Sequence, residues 1–141
     1  MSRVVVTSGV FDLLHEGHLA TLAASKAMAE PGGQLIVGVL TDRGSEAYKR
    51  TPVLNEHVRL QIISSLEMVD AAFLQPGTDP SSFLRALIAI GIRPSVFTHG
   101  ADWSALREGN STLAELGIEF RTTPYIEGTS TTNIIKRVRL A

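Results

Sequence analysis

The amino-acid sequence predicts an α/β fold with one open parallel sheet of about five strands and helices on both faces. Five short runs rich in Val, Ile, Leu or Phe have the composition of strands that are covered on both faces. These runs alternate with longer segments in which apolar residues recur at helical spacing. Such alternation favours a Rossmann-like sheet with right-handed crossover connections.

The predicted strands are residues 4–6, 35–40, 71–74, 95–98 and 118–121. The predicted helices are residues 18–29, 56–67, 80–91, 105–117 and 131–138. Residues 41–55 form a long polar stretch that is basic at its centre, which is typical of a mobile loop over a site.

Composition narrows the class of protein. A chain of 141 residues predicts a single domain over residues 1–141, and 44% hydrophobic residues is ordinary for a globular core. No apolar run approaches the roughly 20 residues of a membrane helix, and the N-terminus lacks a signal-peptide pattern, so we expect a cytoplasmic protein without a membrane partner. The absence of cysteine excludes disulfides and a thiol nucleophile. Thirteen basic against fourteen acidic residues favours no nucleic-acid partner.

In open parallel sheets, ligands bind beyond the carboxyl ends of the strands, near a switch in strand order. Four segments should meet there: residues 7–18, 41–52, 98–103 and 127–132. Their side chains are therefore the first candidates for a functional role.

The first of these segments contains the sequence GVFDLLHEGH. Gly9 permits a tight turn, and His15 and His18 are spaced so that both imidazoles can share one face of a helical turn. Beside the free N–H groups of a helix start, they would form a donor cluster suited to phosphate oxygens. The alternatives are a plain helix cap with surface histidines, or a zinc site, which would need further ligands.

The second segment is EGTSTTNII. Gly128 precedes four hydroxyl residues, Thr129, Ser130, Thr131 and Thr132, which is more than one helix cap requires. Hydroxyls and helix N–H groups together would form a second cradle for an anion.

Two further segments could supply positive charge for a polyphosphate and space for a base. Lys49 and Arg50 in the predicted loop, with Arg59 after them, could cover a polyphosphate, although basic loop residues are usually just solvated. In THGADW, Gly100 and Ala101 leave room for a flat base and Asp102 could accept from an exocyclic amine. Trp103 is as well explained by packing as by base stacking.

Taken in order, these pieces resemble the cytidylyltransferase group of the HxGH nucleotidyltransferase superfamily over nearly the whole chain. The matching stretches are GVFDLLHEGH, Thr41-Asp42, YKRTPV, Arg59, Val69-Asp70, HGADW and EGTSTT. Glycerol-3-phosphate cytidylyltransferases look similar throughout, and AYKRTPV with PYIEGTSTT looks closer to cytidylyltransferases that activate small phosphonates. The ending GTSTTNIIK also resembles adenylyltransferases that act on heptose 1-phosphate.

The resemblance implies transfer of a cytidylyl group from CTP to a small phosphate or phosphonate acceptor, with Mg²⁺ carried mainly by the nucleotide phosphates and no metal site on the protein. It also implies a homodimer. Residues and resemblance together predict catalytic roles for His15, His18, Lys49 and Arg50. They predict nucleotide binding by Thr7, Ser8, Gly9, Phe11, Asp12, Gly17, Arg59, His99, Gly100, Asp102, Gly128, Thr129, Ser130, Thr131 and Thr132.

Two departures keep alternatives open. Tyr125 stands where glycerol-3-phosphate enzymes carry an arginine, and Ala101 replaces one acid of their Gly-Asp-Asp-Trp turn. An ATP-dependent sugar-phosphate adenylyltransferase is therefore the second enzyme hypothesis. A nucleotide-binding regulatory module without turnover is the third.

Overall fold

The computed structural model describes residues 2–100, 108–124 and 126–141. Its strands are β1 (Val4–Gly9), β2 (Gln34–Leu40), β3 (Ala71–Gln75), β4 (Val96–Gly100) and β5 (Glu119–Thr123). Its helices are α1 (Glu16–Ala29), α2 (Asp42–Tyr48), α3 (Glu56–Ser64), α4 (Ser81–Ala89), α5 (Asn110–Leu116) and α6 (Thr131–Leu140). No helix among the described residues is both long and apolar enough to cross a membrane.

The five strands form one parallel sheet in the order β3-β2-β1-β4-β5. β1 lies at the centre, pairing with β2 from Val4 opposite Gln34 to Gly9 opposite Val39, and with β4 from Val5 opposite Val96. The chain runs outward through β2 and β3 and then returns to the other side of β1. The switch in strand order therefore falls between β1 and β4, where a ligand is expected.

Alternate residues of the central strands pack on opposite faces of the sheet. Val5 lies in a core with Leu22 of α1 and Ile63 of α3, whereas the next residue, Val6, lies in a core with Leu84 of α4 and Leu113 of α5. Helices thus cover both faces, and the predicted fold class is confirmed.

The predicted strands are all present, and most predicted helices lie within a few residues of their observed bounds. The start of α5 is an exception, because residues 108 and 109 form a turn and the helix begins at Asn110. Gly109 precedes it with a φ of +80°, a conformation that favours glycine. Residues 105–107 of the prediction lie outside the described part of the chain.

The prediction of a mobile loop over residues 41–55 is wrong for its first half, which forms α2. The Thr41 side chain caps this helix by accepting the Gly44 N–H at 3.0 Å. Gly44 itself packs on the main chain of Pro76 so closely that a side chain would clash. The helix has seven residues and is held by its cap and this contact, so it lacks the apolar repeat by which helices are recognised in a sequence.

Candidate active site

A cavity of about 310 Å³ opens at the carboxyl ends of β1 and β4, at the switch in strand order. Many of the predicted site residues line it: residues 8–9, 11–12, His15, Gly17, His18, Lys49, Arg50, His99, Gly100 and residues 129–131. The structure therefore brings together side chains from all four segments that the sequence placed at this edge of the sheet.

The turn after β1 has an unusual backbone. Phe11 and Leu13 both have positive φ, 55° and 50°, in the left-handed region that residues with side chains seldom adopt. The Phe11 ring lies over Gly9, where an added Cβ would come within 3.1 Å of it. Its edge meets the His18 ring at a centroid distance of 5.5 Å. The turn thus packs the buried Phe11 ring against His18.

The two histidines are stacked, with ring centroids 3.7 Å apart and an interplanar angle of 25°. His15 is the N-cap of α1, and its Nδ1 accepts the Gly17 N–H at 3.1 Å. His18 Nδ1 accepts the His15 N–H at 3.3 Å, which completes a reciprocal capping box. A Cβ on Gly17 would lie 2.9 Å from His15 Cε1, so the glycine of the motif makes room for this ring.

These contacts fix the protonation of both rings. Since each Nδ1 accepts a main-chain N–H, the hydrogen of the neutral ring must sit on Nε2. Burial, assisted by the neighbouring His15, lowers the pKa of His18 to about 3. Burial also lowers the pKa of His15, although Glu16 opposes this. Both histidines are therefore neutral Nε2–H donors near pH 7.

The start of α6 closes the cavity from the far end of the chain. The Thr131 hydroxyl donates to the Asp12 carbonyl at 2.8 Å, and the Thr129 hydroxyl donates to Glu16 Oε1 at 2.6 Å. Ser130 caps the helix by accepting the Asn133 N–H at 3.1 Å. The predicted meeting of the histidine turn with the hydroxyl-rich helix start is confirmed.

Two basic residues approach from the segment after α2. Lys49 and Arg50 both line the cavity, and Arg50 Nη1 donates to the Thr132 hydroxyl at 3.0 Å. The lysine is exposed and the arginine is partly buried. Positive charge thus lies beside the start of α6, as the sequence predicts.

Arg59 requires a correction, because it does not line the cavity. Its side chain is 0% exposed, and its guanidinium donates to the carbonyls of Leu54, Val10 and Leu40 and to the Asp42 carboxylate, at 2.7 to 2.8 Å. It joins the ends of β1 and β2 to the starts of α2 and α3. Arg59 is a buried structural cation, and the prediction that it binds nucleotide is wrong on this geometry.

Three other predicted residues also fall outside the cavity lining. Thr7 is buried and donates its hydroxyl to the Thr98 carbonyl at 3.0 Å, which ties β1 to β4. Gly128 has a φ of +80° and forms the turn before α6. Thr132 lies one residue beyond the lining and supports Arg50. These residues shape the site without facing it.

At the end of β4, His99 and Gly100 both line the cavity. His99 Nδ1 accepts the Gly100 N–H at 2.9 Å, and burial lowers the pKa of this histidine to about 4. The predicted base-side residue Asp102, together with Trp103 and Tyr125, lies outside the described residues.

Sequence reasoning missed several lining residues: Val10, Thr21, Leu40, Ser45, Tyr48, Pro52, Thr78, Pro124 and Ile126. Some carried a usable signal. Thr21 follows His18 at helical i+3 spacing, and Thr78 follows the end of β3 at the same edge of the sheet. Ser45 and Tyr48 could not be found without knowing that α2 exists.

Asp12, which lines the cavity, and Glu16, which follows the lining residue His15, both accept hydrogen bonds from the protein. The Asp12 carboxylate accepts the N–H groups of Val53 and Leu54 at 2.7 and 2.9 Å, and Glu16 accepts from Thr129. Among residues 2–100, 108–124 and 126–141, no group of three or more His, Asp or Glu side chains is arranged to hold a metal ion.

Comparison with known proteins agrees with this geometry. Residues 6–137 match the family described as cytidylyltransferase-like. The chain is 34% identical over 143 residues to FAD synthase of Korarchaeum cryptofilum, covering 98% of this chain and 92% of that protein. It is also 34% identical over 139 residues to bifunctional protein HldE of Methylobacillus flagellatus, covering 96% of this chain but 27% of that protein.

A solved structure agrees as well. The lipopolysaccharide core biosynthesis protein from Thermoplasma volcanium GSS1 matches with a TM-score of 0.70 and 29% identity, covering 92% of this chain and 100% of that chain. The family match extends from β1 into α6 and so includes the histidine pair and the hydroxyl-bearing helix start. The chain therefore belongs to the cytidylyltransferase-like family of the HxGH superfamily, and it is a nucleotidyltransferase.

Proposed function

We propose that the protein transfers a nucleotidyl group from CTP to a small phosphate or phosphonate monoester and releases pyrophosphate. An oxygen of the acceptor attacks the α-phosphorus in line, the new P–O bond forms, and the bond to the bridging oxygen of the β-phosphate breaks. The observation that carries this proposal is the meeting of His15, His18 and the start of α6 around one cavity beside Lys49 and Arg50.

The acceptor needs little chemical activation. A phosphate monoester has a second pKa near 6, so its attacking oxygen is already an anion at pH 7 and requires no general base. The protein's task is to bring two anions together and to stabilise charge on the phosphoryl oxygens. Neutral histidines that donate from Nε2 suit this task, because they supply hydrogen bonds without proton transfer.

The start of α6 supplies a second set of donors. Thr129 and Thr131 donate their hydroxyl hydrogens to Glu16 and to the Asp12 carbonyl, so the phosphate is received by the main-chain N–H groups at the helix start and by the Ser130 hydroxyl. Ser130 Oγ accepts the Asn133 N–H and keeps its own hydrogen for a ligand. Lys49 and Arg50 add positive charge over the same phosphates.

Magnesium enters this proposal as a companion of the nucleotide. Bound to the phosphates, Mg²⁺ would neutralise part of their charge, with few or no ligands from the protein. Among the described residues, Asp12 is the carboxylate that lines the cavity, and it already accepts two main-chain N–H groups.

The choice of CTP rests on the resemblance of AYKRTPV and EGTSTT to cytidylyltransferases. ATP is the second candidate, and a specific observation favours it. The FAD synthases of Korarchaeum cryptofilum and Methanopyrus kandleri, at 34% and 36% identity, are named for a product that contains an adenylyl group. The phosphate machinery described above serves either nucleotide. A homodimer in the cytoplasm remains a prediction.

One assay separates these possibilities. Pyrophosphate release is measured with CTP and ATP, each against glycerol 3-phosphate, 2-aminoethylphosphonate, a heptose 1-phosphate and flavin mononucleotide, and products are identified by mass. Release with CTP and a small phosphate or phosphonate supports the first proposal, and release with ATP supports the second. Tight nucleotide binding without release from any acceptor contradicts both and favours a regulatory module.

A further inference from the structure

The segment that carries the two basic residues is held by hydrogen bonds at both of its ends. We call residues 49–54, between the end of α2 and the N-cap of α3, the basic strap. Near its start, the N–H groups of Lys49 and Arg50 donate to the Ser45 carbonyl. Pro52 is buried, but Val53 is 59% exposed, so apolar burial alone does not fix the end of the strap.

The end of the strap is bound by one carboxylate. The N–H groups of Val53 and Leu54 donate to the two oxygens of Asp12, Oδ2 and Oδ1, at 2.7 and 2.9 Å. Asp12 is 3% exposed, so these charge-assisted hydrogen bonds lie out of water, where they are strongest. The carbonyl of the same residue accepts the Thr131 hydroxyl. Asp12 thus connects the first turn, the strap and the start of α6.

The direction of the Asp12 carboxylate is set by its neighbours. Phe11 and Leu13, on either side, both occupy the left-handed region of φ, which gives this turn a defined and strained shape. Arg59 holds the same two pieces together, since it donates to the Leu54 carbonyl and to the Val10 carbonyl, both at 2.8 Å. Carboxylate and guanidinium therefore bind the same strap end and the same turn.

We propose that Asp12 is a positioning residue, whose carboxylate holds the basic strap so that Lys49 and Arg50 face the phosphates, and that it ligates neither the nucleotide nor its metal ion. The inference rests on the proposed roles of Lys49 and Arg50. A metal ion would have to reach a buried carboxylate whose two oxygens already hold the strap.

Asp12→Asn is the most direct change, because the amide can accept one N–H but turns its NH₂ toward the other. We expect kcat/KM to fall by about 10²-fold, since misplacing a binding group by about 1 Å has an effect of that order. The same substitution in a Lys49→Ala, Arg50→Ala background should change kcat/KM by less than about threefold, because the residues through which Asp12 acts are gone.

Two measurements distinguish positioning from metal ligation and from general damage. The Mg²⁺ concentration for half-maximal rate should be unchanged in Asp12→Asn. Asp70→Asn is the matched control, because Asp70 also accepts a main-chain N–H, from Leu35 at 2.8 Å, but does not line the cavity. That variant should keep wild-type kcat/KM.

An undiminished loss in the Lys49→Ala, Arg50→Ala background, or a raised Mg²⁺ requirement, would overturn the proposal for Asp12. Equal losses in Asp12→Asn and Asp70→Asn would also overturn it. A wild-type protein that binds CTP or ATP without turnover would count against the proposed function alone. In that case the dissociation constant, measured by calorimetry in the same variants, replaces kcat/KM as the readout.

Discussion

His15 and His18 stack face to face, and each ring accepts a main-chain N–H at Nδ1, so that both present Nε2–H as their donor. A helix cap and a donor to phosphate are alternative interpretations of the HxGH sequence, and the structure shows that His15 is the cap. Capping also fixes the tautomer that the proposed phosphate binding requires, so the two interpretations are compatible.

Replacing His18 by alanine should lower kcat by roughly 10²- to 10³-fold, as for loss of one preorganised donor to developing charge. His18→Gln is the matched control, because its amide can donate from nearly the position of Nε2. Steady-state rates with the preferred nucleotide and acceptor provide the measurement. We expect partial recovery in the glutamine variant, and near-normal turnover in His18→Ala would exclude the assigned role.

Acid should destabilise the protein before its carboxylates titrate. The pKa values of His18 and His99 are lowered to about 3 and about 4 in the folded state. Both rings therefore stay neutral in the folded protein, whereas in the unfolded chain they gain protons below pH 6.5. The stability that these neutral histidines contribute is fully present above pH 6.5 and is lost as the pH falls. Each histidine should reduce the free energy of unfolding by about 1.4 kcal/mol per pH unit between pH 6 and pH 4.5.

Urea unfolding at half-unit pH steps tests this slope. The variant His57→Gln serves as the control for replacing a histidine, since His57 is exposed on α3. His18→Gln should flatten the slope. A slope that is the same in all three proteins would show that His18 does not resist protonation in the folded state.

Gly17→Ala should damage activity more than stability. The new Cβ would lie 2.9 Å from His15 Cε1 and would push that ring away from both its cap contact and His18. We expect a fall in kcat/KM of about 10- to 100-fold from the displaced donor. Gly77→Ala is the matched control, because no heavy atom lies within 4 Å of its added Cβ. Similar rates in the two variants would contradict the packing argument.

Arg59→Met should destabilise the fold by about 3 to 5 kcal/mol, because it leaves the Asp42 carboxylate and three carbonyls without their donor. Denaturant unfolding measures the loss. Arg121→Met removes an exposed ion pair with Glu119 and should leave stability nearly unchanged. A small effect at Arg59, with reduced nucleotide affinity, would restore the nucleotide-binding prediction.

The sequence predicted the structure well wherever a residue pattern is typical of one kind of structure only. Apolar runs such as residues 35–40 predicted buried strands, and the parallel topology then placed His15 and the hydroxyls of α6 at one edge of the sheet. The pattern could not reveal α2, which depends on a cap at Thr41 and a close contact of Gly44 with Pro76.

The fate of individual charges was also beyond the sequence. Arg59 and Arg50 look alike in sequence, yet one is enclosed by carbonyl groups and the other lines the cavity. The sequence placed Asp12 among the nucleotide-binding residues and could not show that its carboxylate accepts the N–H groups of Val53 and Leu54. The hydrogen bonds of such charged side chains depend on partners that lie dozens of residues away in the sequence.

The most direct test of the shared phosphate site is a ¹⁵N NMR titration with CTP or ATP in the presence of Mg²⁺. Nε2 resonances of His15 and His18 and amide resonances of Thr131 and Thr132 should move along one saturation curve, with His57 unaffected. A shift of the histidine resonances without a shift of the α6 amide resonances would contradict a single site formed by the two ends of the chain. A shift of the amide resonances alone would contradict it equally.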